Sequence, residues 1–343
     1  MSRTGRIRIA VVAAAAGSLL LGTGTAYGDK SGDGAVGGGS DPGSSNISAN
    51  ASYYEVQYTP KGISSKGHAL TATTAWTPPP CWMAPVATPQ ELKAEREGVW
   101  AEESTGYQWD QAQEDYYVNG HPHKDFEIAN AGKGMWWNGH MNPSMAADPN
   151  ATSCFKERDD WVLKGAEPPA GPGPVVTPEI LAESAYNRIR ILPKAVELSP
   201  AADLPQTVNL NTWAWLTSAD IKPVSVTASL ASLGIWATTT AKPVGLHITA
   251  GTSDADLYPA SGNCPMNADG SIGRRYAKAD GNAVPPCGLT YRRATNGGTF
   301  PLSATIRWAV SWTGSGGTGG DLPGGSFEYT QNVTVQDIQS VNR

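Results

Sequence analysis

Positive charge in excess is missing from this chain. It carries 25 Lys or Arg against 31 Asp or Glu, a formal net charge of −6, so nothing drives the counterion release that nucleic-acid binding depends on. Charged residues of both signs make up only 16 %, too few for a coiled coil or a long helical bundle. Cysteine is scarce, at four, and no two stand at the short spacing of a zinc knuckle. Neither Gly-Lys-Ser/Thr nor G-x-S-x-G occurs, which excludes a P-loop and leaves a serine nucleophile without its supporting pattern. After Ile9–Leu21, itself shorter than the ~20 residues of a spanning helix, no comparable apolar run follows.

What is present is loop-forming and aromatic. Gly numbers 39 and Pro 26, while 40 % of residues are apolar and 12 are Trp. That is enough apolar material for a real core, and the length predicts about two domains at ~150 residues each. Arg3, Arg6 and Arg8 precede the apolar run, and Ala26-Tyr27-Gly28 puts small residues before Asp29. This pattern predicts a secretory signal peptide over 1–28, of the general rather than twin-arginine kind, and hence export. A Gly/Ser-rich stretch at 29–50 predicts a flexible tether.

The charge is unevenly spread. Residues 81–160 hold 14 acidic and 6 basic side chains, whereas 205–343 hold 8 and 9. Two modules of different surface character are therefore expected. Three cysteine pairings exist, and Cys81–Cys154 with Cys264–Cys287 is favoured because each bond then stays within one module. Thr88-Pro89-Gln90-Glu91 predicts a capped helix running to about Glu103. Thr177-Pro178-Glu179 predicts a second, with Ile180, Leu181, Ala185 and Ile189 on one stripe. From about 205 the hydrophobic period changes to two: Val224, Val226, Ala228 and Leu230, then Leu302, Ala304, Ile306, Trp308, Val310 and Trp312. The fold class expected is mainly β. An irregular α+β, disulfide-closed module (51–163) leads through a Pro/Gly linker (164–176) and a connecting helix and extended segment (177–204) to an antiparallel β-sandwich (205–343).

Pro79-Pro80-Cys81-Trp82, the stretch Val208-Asn209-Leu210-Asn211-Thr212-Trp213-Ala214-Trp215-Leu216, Cys287-Gly288-Leu289-Thr290-Tyr291-Arg292-Arg293 and Ser311-Trp312-Thr313-Gly314 together resemble a group of exported actinobacterial, Streptomyces-like proteins. The resemblance implies a C-terminal module similar to polycystic-kidney-disease (PKD) domains, which are immunoglobulin-like sandwiches. It assigns no activity. In place of the Trp-x-x-Gly-Asp-Gly segment usual in such modules, this chain reads Leu246-His247-Ile248-Thr249-Ala250-Gly251-Thr252.

Four groups of residues invite a chemical reading. Gly314-Ser315-Gly316-Gly317-Thr318-Gly319 matches G-x-G-x-x-G, but no helix is expected after it, so it predicts a hairpin loop and no nucleotide cofactor. His121-Pro122-His123, with Asp125, Glu127 and His140, is the one candidate metal cluster, weighed against surface histidines in a turn. Glu91, Glu95, Glu102, Glu103, Asp110, Glu114 and Asp115 offer a carboxylate pair for hydrolysis, weighed against a solvated helix face. Trp136 and Trp137, adjacent on an extended segment, are expected to face opposite ways, one buried and one exposed as a sugar-stacking or protein-anchoring ring. The leading expectation is a secreted or cell-surface non-enzymatic binding or structural protein. Binding of cell-wall polysaccharide through exposed Trp comes second, and a metal- or carboxylate-dependent hydrolase third; the partner expected is cell-wall glycan or a co-exported protein.

Overall fold

The computed structural model describes residues 54–60, 67–101 and 107–338. The expected signal peptide and tether, with Glu102 and Glu103, lie outside them. The protein is mainly β, with 41 % strand and 17 % helix, and its larger sheets are curled and antiparallel.

The largest sheet has seven strands. Six follow one another in the order Val56–Thr59, Val224–Leu230, Ile235–Thr249, Phe300–Gly314, Gly319–Val333, Thr71–Ala72, and Asn263–Pro265 joins the second half of Ile235–Thr249. The period-two pattern explains the long central strands, since alternate residues turn Ala, Leu, Ile, Val and Trp inward and Ser and Thr outward. Midway along, the register breaks twice. Val244 is an extra residue beside Pro243, which pairs with Trp308, and Pro323-Gly324 stand opposite the single residue Ala309. Proline cannot donate to the ladder, so a central strand accepts it at a bulge, and a bulge bends the strand.

The bend divides the inner face into two territories. Ala237, Thr239 and Ala241 are small, and they leave room for a helix (α3, Pro178–Arg188), whose Ala182 carbonyl accepts a hydrogen bond from Thr239 Oγ1 at 2.8 Å. Beyond the bulge, Leu246, Ile248, Leu302 and Ile306 meet a five-stranded sheet. Its order is Ala255–Tyr258, Gly288–Tyr291, Asn211–Leu216, Ile272–Gly273, with Glu197–Ser199 also on Asn211–Leu216. Tyr291 spans this gap: its hydroxyl donates to Ala250 O (3.2 Å) and its ring stacks on Phe300. The Cys264–Cys287 disulfide joins the two sheets, because Cys264 lies on a strand of the first and Cys287 directly precedes Gly288 of the second.

A third sheet, Cys81–Ala87, Gly134–Met141 and Asp160–Leu163, belongs to the acidic region. Helices α1 (Pro89–Trp100) and α2 (Tyr107–Tyr117) accompany it. Thr88 and Glu91 form the expected capping box at the start of α1, and the Cys81–Cys154 disulfide closes the region.

The module boundaries differ from those drawn on composition. Val56–Thr59 and Thr71–Ala72, within the expected N-terminal module, pair with Val224–Leu230 and Gly319–Val333 of the large sheet. The expected connecting helix is α3, and its Ile180, Leu181, Ala182, Ala185 and Tyr186 are buried in the main core. The expected linker is docked as well: Met83 N donates to Pro174 O and Val176 N to Met83 O. Edge pairing and long-range packing decided these placements, and neither leaves a trace in local composition.

Candidate binding surface

Trp136 and Trp137 do face opposite ways, but both are buried, at 0 % and 6 % exposure. This corrects the expected exposed ring. The strand bearing them is central in its sheet and is covered on both faces. On one side Trp136 packs against Tyr117, His123 and Trp161, and its Nε1 donates to Phe126 O at 3.2 Å. On the other, Trp137 lines a groove described below.

The histidines are not gathered around a common point. His121 Nδ1 lies 2.9 Å from Asp115 Oδ1 on the exposed surface. His123 Nδ1 lies 2.9 Å from Glu127 Oε1, with its ring edge-on to Tyr116 and Trp136. His140 is buried in the small sheet, its ring stacked on Trp82 at 5.7 Å. Burial lowers its pKa from 6.5 to about 4, so it is neutral at pH 7. Among the described residues no group of three or more His, Cys, Asp or Glu is placed to hold a metal ion.

The carboxylates of this region hold the fold together. Glu91 accepts from Thr88 N and from the Tyr54 hydroxyl. Lys93 pairs with Asp125, and Lys156 with Asp160. Asp159, 3 % exposed, takes Arg96 at 3.1 Å, the Tyr117 hydroxyl at 3.2 Å and Asn138 Nδ2 at 2.7 Å. Burial and then the Asp159 charge push the Tyr117 hydroxyl pKa upward, which keeps it a donor. Glu114 and Asp115 stand on the exposed side of α2, and Glu95 and Asp110 are half-buried. Gly314–Gly319 is a tight hairpin between two long strands, with Gly314 N bonded to Thr318 O.

The surface that sequence reading missed is the outer face of the large sheet. Before the bulge, cross-strand neighbours form rows: Ser229 beside Trp236, Thr227 beside Thr238 beside Thr313, and Ser225 beside Thr240 beside Ser311 beside the exposed Asp321. Hydroxyls meet within the rows, Thr227 to Thr238 at 2.7 Å and Ser225 to Thr240 at 2.8 Å. A hydroxyl offers one donor and two acceptor sites, so each such pair still has capacity for a ligand. Trp236, 41 % exposed, stands at the end of this field beside the hairpin, where its backbone N–H donates to Ser315 Oγ. The signal was present in the alternation, for the residues between the buried positions are nearly all Ser and Thr. No protein-family model, curated protein or solved structure matches the chain.

Proposed function

We propose that the protein is an exported, non-enzymatic binding protein whose large sheet holds an extended polysaccharide of the cell wall. The observation that carries this reading is Trp236, the exposed tryptophan at the edge of a field of paired hydroxyls that Lys242 and Asp321 flank on the far side. An aromatic face stacks on a sugar ring, and fixed hydroxyls exchange hydrogen bonds with its own hydroxyls; a single anchor beside complementary polar contacts typically dominates such binding. The two disulfides fit an oxidising compartment, and the basic-then-apolar N-terminus supplies the export signal. No helix among the described residues is long and apolar enough to cross a membrane.

The immunoglobulin-like or PKD-like identity of the sandwich, and kinship with exported actinobacterial proteins, belong to the same proposal. A disulfide between packed sheets is the feature that immunoglobulin domains share, and two of the motifs quoted for the resemblance lie on adjacent strands, Asn211–Leu216 and Gly288–Tyr291. Retention of the purified chain on insoluble wall polysaccharide is the test. Trp236→Ala is expected to lower it about tenfold or more, and Thr240→Val, which keeps the shape and removes a hydroxyl, by less. Equal retention of Trp236→Ala and the parent would remove the polysaccharide and leave a co-exported protein as the partner to seek.

A further inference from the structure

A groove of about 470 Å³ runs along the seam where the small sheet meets the end of the large one. Met135 and Trp137 come from the central strand of the small sheet, Leu163 from the end of its edge strand, and Leu233 and Ile235 from the hairpin that joins Val224–Leu230 to Ile235–Thr249. The turn of that hairpin needs Gly234, whose φ of +64° suits glycine and lets the chain reverse within four residues. The volume falls within the ~300–1,000 Å³ of small-molecule pockets, which favour junctions between packed units.

Three polar features interrupt the apolar lining, and they differ in availability. The Thr177 hydroxyl is committed to capping α3 through Ile180 N. Ser232 is 8 % exposed, lines the groove, and its Oγ has no hydrogen-bond partner among the described residues. A buried hydroxyl without a partner costs free energy that a ligand oxygen would recover. Lys164 is the one charged residue on the lining and is exposed at its rim. The N-terminal turn of α3, at Thr177 and Pro178, lies on the same lining and carries positive partial charge.

We propose that this groove binds an amphiphile: an apolar chain or ring against Trp137, Leu233 and Ile235, with one anionic head, carboxylate or phosphate monoester, served by Ser232 and Lys164. Ile235 lines the groove while Trp236, next to it in the strand, points to the opposite face of the sheet, so the groove is reached from the other side and its occupancy is expected not to depend on polysaccharide binding. Titration of the full secreted chain with dodecanoate, dodecyl phosphate and dodecanol, read by calorimetry, is the experiment. One site per chain is expected, with both anions binding more tightly than the alcohol. Ser232→Ala should weaken dodecanoate about tenfold, and Lys164→Gln should weaken the anions while leaving dodecanol unchanged. Ala166→Trp, at an exposed lining position, should block all three while the melting temperature stays at the parent value. Trp236→Ala should bind all three as the parent does. Absence of saturation in the parent, or undiminished binding by Ala166→Trp, would overturn the proposal; equal affinity for dodecanoate and dodecanol would remove the anionic head from it.

Discussion

At the residue scale, two positions show how tightly the seam is drawn. A Cβ on Gly173 would lie 2.2 Å from Cys154 Sγ, and one on Gly171 would lie 2.6 Å from Met83 Sδ. The sulfur of a disulfide is held at both ends, whereas a methionine side chain can swing aside. Gly173→Ala is therefore expected to cost about 1–3 kcal/mol and Gly171→Ala less, as measured by urea unfolding. The opposite ranking would mean that the 164–176 segment does not pack on the disulfide. His140 gives a second prediction. Its folded pKa is about 4, against 6.5 for the free side chain. Between these values the unfolded chain binds a proton that the folded chain refuses, so stability falls as pH drops from about 6.5 to about 4 and this contribution then levels off. The full effect is about 3 kcal/mol. His140→Phe, which keeps an aromatic ring on Trp82, should lack it. The stability difference between the two proteins should shift by that amount between pH 7 and pH 4, and an unchanged difference would show that the ring is hydrated.

At the scale of elements, a polar clasp ties three of them together. Asn142 is fully buried just after the strand Gly134–Met141; its Nδ2 donates to Pro79 O at 2.9 Å, and its Oδ1 accepts from Ser184 of α3 at 2.8 Å and from Ser144 at 2.7 Å. The Ser184 hydroxyl meets Tyr58 Oη of the edge strand Val56–Thr59. Small sheet, helix and large sheet thus share one hydrogen-bonded cluster inside an apolar core, where unmatched partners are costly. Asn142→Ala should destabilise by about 2 kcal/mol or more, because it leaves the Pro79 carbonyl and the Ser144 hydroxyl short of partners. Thermal unfolding would check this, and a variant with parent stability would show that water replaces the side chain.

At the scale of the whole molecule, the packed sheets of 205–343 are completed by residues from outside that span. Helix α3 covers the Ala237–Ala241 half of the inner face, and Val56–Thr59 closes an edge. A fragment of residues 205–343 is therefore expected to show no cooperative melt by circular dichroism, since its apolar face lies open to water. A melt at the temperature of the full chain would show that the sheets suffice. The disulfides act at the same scale. On the loop-entropy model their closures, with separations of 73 and 23 residues, contribute about 4.4 and 3.4 kcal/mol. Replacing Cys81 and Cys154 together by Ser should thus lower the unfolding midpoint more than the same change at Cys264 and Cys287.

Local signals were legible in the sequence wherever the physics is local. The caps at Thr88 and Thr177 depend on neighbours three residues away, strand alternation on a period of two, and the Gly314–Gly319 hairpin on glycine itself. The cysteine partners, chosen from three pairings so that each bond stays within one module, are the ones formed. Tertiary structure alone decided what covers each face. Nothing near Trp137 in sequence shows that the seam will bury it, and near Trp236 the Ser and Thr positions mark a polar face without showing that nothing packs on it. Period two specifies that a side chain points to one face and says nothing of what packs there. The edge strand at Val56–Thr59 and the packing of α3 depend on partners more than 150 and 57 residues away. Contacts at that distance are selected by the fit of whole surfaces, so they appear only once the sheets have assembled.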